Sequence, residues 1–227
     1  MSSHIHRGAN VWLSHELNTR TPAYRGGRGF AIAHDKKMTD GHHCNSSSIA
    51  LDSHLGSHVD VPFHFIKTGK RVCDYQPSEW IFNKCGAIEL MVEPDDIINL
   101  PKIKPAIEVY DDLDFLIIKT GFERYRDNTV YWQHSPAYCS SIACYLKEKF
   151  PSLAAIGFDS ISLTGYQHRE LGRKAHQAFL SLDIRIFEDL HLQCITSNVH
   201  IMQIIALPLR YDEADGAPCT IVATLEA

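Results

Sequence analysis

The sequence predicts a mixed α/β fold in which residues 1–227 form a single domain, on three observations. Short apolar runs of strand length alternate with stretches of helical periodicity. No internal repeat, low-complexity tract or Gly/Ser linker divides the chain. The length suits one sizeable core, and a composition of 44% hydrophobic and 22% charged residues is that of a folded chain.

Residues 16–29 are crowded with turn formers, including Pro22, Gly26, Gly27 and Gly29, and read as a long binding-type loop. Runs rich in Ile, Leu, Val and Phe predict strands at 86–92, 115–120, 153–159 and 201–207. Ser135-Pro136 reads as a helix start leading into a helix over 137–150. A second helix is expected over 169–182. The strand at 201–207 is expected to form a hairpin with 220–225 through a turn at Asp215-Gly216.

Charge and composition exclude several classes. A formal net charge of −5 gives no general electrostatic reason to bind nucleic acid or an anionic membrane. No apolar stretch is long enough to span a bilayer, and the first residues lack the apolar segment of a secretory signal. The seven cysteines are scattered, with no C-x2-C pair to suggest a thiolate zinc knuckle. Free thiols and the missing signal point to a reducing, cytoplasmic setting. The unusual count is fourteen histidines, the commonest side-chain ligands of transition metals.

Three of those histidines share one segment with an aspartate. His54, His58, Asp60 and His64 all stand at even positions, and the odd positions between them are nearly all apolar. That is period two, so an extended chain would put the polar set on one face. Ten extended residues span roughly 33 Å, so the chain must bend for His54 and His64 to converge. Gly56 and Pro62 are the expected bends. Neutral imidazoles with a carboxylate suit zinc or manganese, and three protein ligands leave positions for water. A further histidine held off the metal would move protons.

The segment His54-Leu-Gly56-Ser57-His58-Val-Asp60-Val-Pro62-Phe-His64-Phe65 resembles the signature of the metal-dependent cyclase family, which includes bacterial kynurenine formamidases and isatin hydrolases. That signature reads His-x-Gly-Thr-His-x-Asp-x-Pro-x-His-Phe, and only Ser57 departs from it, keeping the hydroxyl. Residues 116–121 and 205–209, and Ala214-Asp-Gly-Ala-Pro218, also resemble family stretches. Thr21-Pro22-Ala-Tyr24 resembles the family's early loop, which implies that Tyr24 lies against substrate; Arg25 stands where the family's usual proline follows. His176 and Glu188 have the separation of the family's second pair of ligands. Ser160-Ile-Ser162 lacks the family's common acid, which implies a differently shaped pocket.

The resemblance implies a β/β/α domain of the swivelling type and a homodimer or homotetramer. It implies that His54, His58 and Asp60 hold one divalent ion, zinc or manganese, and that Asp60, His176 and Glu188 complete a second site. It implies His64 as the catalytic acid–base group. The expected reaction is hydrolysis of a non-peptide C–N bond in a small-molecule amide, as by the arylformamidases of tryptophan catabolism. Two alternatives stand beside it: a cyclase or dehydratase acting on a polyketide-like intermediate with the same metal site, and a metal-binding protein without turnover. His134, His191 and His200 read as surface or structural residues.

Overall fold

The apolar runs pair into one large sheet. The structure, a computed structural model, describes residues 8–196 and 199–226. Nine strands form a mixed sheet in the order Ile81–Phe82, Ile201–Pro208, Gly216–Leu225, His58–Asp60, Arg185–Glu188, Ala155–Phe158, Phe115–Lys119 and Cys85–Glu89, with Ala9–Trp12 also pairing to Gly216–Leu225. Arg185–Glu188 through Cys85–Glu89 run parallel; the remaining pairings are antiparallel. The strands at the two ends of this order are separated in sequence only by Asn83 and Lys84, so the sheet curls back nearly closed. Asp114 pins that corner by accepting the Asn83 and Lys84 N–H groups at 2.8 and 3.0 Å.

Alternation along the strands builds two cores. Leu116 and Ile118 point toward the helices Leu100–Ile107, Ser141–Lys149 and Arg169–Ser181, where they meet Ile142, Leu146 and Phe179. Phe115 and Ile117 point the other way, onto Phe187, Ile204, Ile221 and Ala223. A strand covered on both faces needs an apolar run without polar alternation, which is what 115–118 supplies.

The helix expected over 169–182 is present as Arg169–Ser181. Two other expectations need correction. The helix expected over 137–150 begins only at Ser141, because Ala137–Tyr138 pairs as a strand with Ile97–Ile98. Tyr138 is fully buried with its ring 4.8 Å from that of Phe158, and this packing overrides the Ser-Pro start signal. The hairpin turn is also displaced: Gly216 already opens the strand Gly216–Leu225, and the chain reverses over 209–215. Between residues 54 and 64 only His58–Asp60 is a strand. Gly56 takes a left-handed φ of 65°, and Pro62 starts the 3-10 turn Pro62–His64, so both expected bends occur.

The hairpin of Ala31–Lys36 and Ser46–Ala50 is exposed along its whole length. No helix among the described residues is long and apolar enough to cross a membrane.

Candidate active site

Strand register assembles the center of the site. His58 and Asp60 are two residues apart on one short strand and therefore share a face. Antiparallel pairing sets Glu188 directly opposite His58, so its carboxylate joins that face. His176 reaches in from the helix Arg169–Ser181, and its ring stacks on Phe65 at 4.7 Å. All four side chains are almost completely buried.

Their atoms converge closely. His58 Nε2 lies 3.4 Å from Asp60 Oδ1 and 3.4 Å from Glu188 Oε2. His176 Nε2 lies 3.3 Å from Asp60 Oδ2 and 3.4 Å from Glu188 Oε1. Donor atoms held about 2.0–2.1 Å from a common tetrahedral ion are separated by roughly this distance. The other ring nitrogens are anchored to backbone: His58 Nδ1 donates to Gly56 O at 2.7 Å, and His176 Nδ1 to Gly172 O at 2.9 Å. Such anchoring fixes each ring's orientation and aims Nε2 at the carboxylates, so that loss of the Nε2 proton would present the lone pair a metal requires. Glu188 is itself oriented, its Oε1 accepting the Leu163 N–H at 2.6 Å and the Ser162 hydroxyl at 3.3 Å. Ser162 thus stands where the family's acid was absent from the sequence, and it supports a ligand candidate.

His54 and His64 form the open side. His54 Nδ1 meets Asp60 Oδ1 at 2.7 Å and its Nε2 meets Asp215 Oδ2 at 2.9 Å. His64 Nδ1 meets the same Asp215 oxygen at 2.9 Å, while its Nε2 lies 4.0 Å from Asp60 Oδ2. Asp215 is the functional candidate that sequence reasoning misses: in sequence it reads as a turn residue, although its stretch resembles the family's. Gly216 is required beside it, since a Cβ there would lie 2.4 Å from His54 Cε1. The donors meet around Asp60, which belongs to two groups of ligand atoms within 4.8 Å of one another: His58, Asp60 and Glu188, and His54, Asp60 and His64.

The electrostatics of the cluster demand positive charge. Burial works to raise the pKa of Asp60, but the charge on His54 and hydrogen bonds from His176, His54 and His58 hold it well below the usual carboxylate range. Burial and the Asp60 charge push Glu188 upward, and its hydrogen bonds from His176 and His58 outweigh them. The histidines respond in kind. Burial opposes the charge on His54, yet Asp60 and Asp215 raise it to about 9; burial likewise opposes His176, which Asp60 and Glu188 raise to about 10. Burial opposes Asp215 ionisation, and its bonds to His54 and His64 hold it ionised. An ionised carboxylate only accepts, so His64 Nδ1 must donate to Asp215, which leaves its Nε2 free to exchange a proton.

The cluster floors a cavity of about 290 Å³ whose walls include Tyr24, Arg25, Phe65, Arg169 and Arg173. Tyr24 is therefore placed at the cavity, and its buried hydroxyl has no hydrogen-bond partner among the described residues. Arg25 adopts a φ of 59°, a conformation closed to proline, so this loop takes a course the family's usual residue could not follow. Arg169 lies over the Tyr166 ring at 5.3 Å.

The model of the Cyclase family matches residues 11–164. A kynurenine formamidase of Geobacillus thermodenitrificans is 28% identical over 218 residues, covering 92% of this chain and 95% of that protein. Isatin hydrolase A of Labrenzia aggregata, solved with benzyl benzoate, superposes with a TM-score of 0.82 at 18% identity, covering 96% of this chain and 94% of its own. A predicted metal-dependent hydrolase of Bacillus stearothermophilus superposes with a TM-score of 0.74 at 18% identity, covering 96% and 98% of the two chains.

Proposed function

The chain belongs to the cyclase family, and on that premise we propose that it is a metal-dependent hydrolase of small non-peptide amides, arylformamidase-like in its reaction. The observation that carries this reading is the convergence of His58 Nε2, His176 Nε2, Asp60 and Glu188 at 3.3–3.4 Å, with both rings anchored to backbone carbonyls. Two buried carboxylates so close together are costly without a cation, each buried ion carrying a penalty of several kcal/mol. The donor set of imidazoles and carboxylates fits zinc or manganese. His54, His58, Asp60, His176 and Glu188 would hold one or two ions, with Asp60 shared. A divalent ion there would lower the pKa of water and polarise the amide carbonyl.

The chain's own residues do the rest. His64 accepts a proton at Nε2 from the attacking water and delivers it to the nitrogen that leaves, so the amide C–N bond breaks to give a carboxylic acid and an amine. Asp215 keeps His64 in the tautomer that can do this and stabilises the imidazolium between the two transfers. Tyr24 and Phe65 supply flat apolar walls suited to an aromatic ring. Relatives named kynurenine formamidase and a structural neighbour named isatin hydrolase support an aromatic amide as the substrate class. The test is release of acid and amine from a panel of arylformamides and cyclic aryl amides by metal-loaded protein. Failure on the whole panel would reject the reading.

Two measurements follow from the charge of the site. His54 and His176 hold protons up to about pH 9 and 10, so below those values an incoming ion must displace them. Apparent metal affinity should therefore rise with pH between 6 and 8, about tenfold per unit for each proton displaced. Calorimetry in buffers of different ionisation enthalpy reads those protons directly, and binding without proton release would contradict the ligand set. Second, Arg25 and Arg169 make no ion pair among the described residues, and Arg173 has only a 3.9 Å contact with Glu170. An anionic substituent on the substrate would satisfy Arg169. Arg169→Ala should raise KM about tenfold or more for a carboxylate-bearing arylformamide, the scale of one charge-assisted hydrogen bond, with kcat little changed. An equal KM for charged and neutral substrates in wild type would remove that role.

A further inference from the structure

A second cluster of ligand-type side chains lies outside the candidate active site. His15 follows the strand Ala9–Trp12, Glu123 sits in the 3-10 turn Phe122–Tyr125, and His191 follows the strand Arg185–Glu188. Each offers one ligand atom, and the three atoms lie within 4.8 Å of one another. His15 Nε2 is 3.4 Å from Glu123 Oε1, the same oxygen that accepts a short hydrogen bond from His191 Nδ1. Glu123 is buried and oriented, its other oxygen accepting the Leu192 N–H at 3.0 Å. The backbone holds both histidines: the His15 N–H donates to Ser57 Oγ at 2.8 Å, and the His191 N–H to Leu13 O at 2.9 Å.

Two features distinguish this cluster from an ordinary ion pair. His15 Nε2 is buried and has no hydrogen-bond partner among the described residues, although a carboxylate oxygen stands 3.4 Å away. A buried ring nitrogen left in that state is costly, and an ion shared with Glu123, in place of the proton on His191 Nδ1, would satisfy it. Finally, His15 and His191 line a separate cavity of about 910 Å³, together with Trp12, Ser57, Leu207 and Cys219. That cavity leaves room for a water or an exogenous ligand on the open side. Ser57 and His58 are neighbours in the chain: the His58 ring enters the candidate active site, whereas the Ser57 hydroxyl bonds Asp189 O and lines this second cavity.

We propose that His15, Glu123 and His191 form an additional transition-metal site, with zinc as the fitting ion and one coordination position open to the larger cavity. Two imidazoles and one carboxylate with an open position form a donor set that zinc accepts, whereas calcium and magnesium call for more oxygen ligands. The ion would tie the N-terminal segment to the ends of the strands Phe115–Lys119 and Arg185–Glu188, the latter carrying Glu188. This inference stands apart from the amide-hydrolase reading, since none of its three residues belongs to the site described above.

The test counts zinc by elemental analysis after gel filtration from micromolar zinc. Asp60→Ala, which disables the candidate active site, should retain about one equivalent per chain, and adding His191→Ala should remove it. His191→Ala alone should lose that one equivalent relative to wild type. A second readout uses wild-type protein and needs no variant: zinc should protect His191 from carbethoxylation by diethyl pyrocarbonate, followed by peptide mass spectrometry. Equal zinc content with and without His191 would overturn the proposal, as would carbethoxylation of His191 at the same rate with and without zinc. Either result would make the cluster a hydrogen-bonded anchor for the N-terminal segment.

Discussion

His64→Asn is expected to keep the fold and most of the metal while losing about 10²–10⁴-fold in turnover, the usual contribution of a positioned acid–base group. The geometry gives the reason. His64 Nδ1 is committed to Asp215 at 2.9 Å, and its Nε2 faces the center of the site at 4.0 Å from Asp60 Oδ2. That separation from the buried carboxylate suits a group standing over the cavity better than one inside the His58–Asp60–His176–Glu188 cluster. Asparagine retains polarity and can still donate to Asp215, but it cannot cycle a proton. Turnover and metal content should be measured on the same preparation. A metal-replete variant at near wild-type rate would remove His64 from the chemistry, and joint loss of metal and rate would make it a ligand.

Asp60→Ala is expected to strip the candidate active site of its metal, whether it holds one ion or two. Both Asp60 oxygens are engaged: His54 and His58 face Oδ1, and His176 faces Oδ2. Removing the carboxylate takes away the negative charge that four histidines share and leaves Glu188 as the cluster's one buried carboxylate. Elemental analysis should show a loss of the one or two equivalents this site carries, with hydrolysis falling in parallel. A variant that matches wild type in metal content would show that the metal lies elsewhere.

Much of this was legible in the sequence, for identifiable reasons. The period-two spacing of His54, His58, Asp60 and His64 marks the polar set, although only His58–Asp60 is extended strand, and Gly56 and Pro62 mark the bends, because both residues restrict or free the backbone in ways sequence exposes. His176 and Glu188 came from resemblance alone. No local pattern says that a helix residue and a strand residue twelve apart will meet Asp60; antiparallel pairing of Glu188 with His58 does so, and pairing is not written locally. Asp215 was missed for the same reason. Its Asp-Gly pair looks like a turn, and only the pairing of Gly216 with Asp60 carries it to His54 and His64. The strand at Ala137–Tyr138 shows the opposite failure, where a strong local helix signal lost to tertiary burial of Tyr138.

The central claim is that this chain hydrolyses a small aryl amide through a metal held around Asp60. The most direct test is the rate of arylformamide hydrolysis by one wild-type preparation, first as purified, then after exhaustive chelation, then after zinc or manganese is restored. The claim predicts hydrolysis that disappears on chelation and returns with the ion, while the same cycle leaves Asp60→Ala protein inactive throughout. Hydrolysis that survives chelation unchanged, or that Asp60→Ala protein performs equally well, would contradict it.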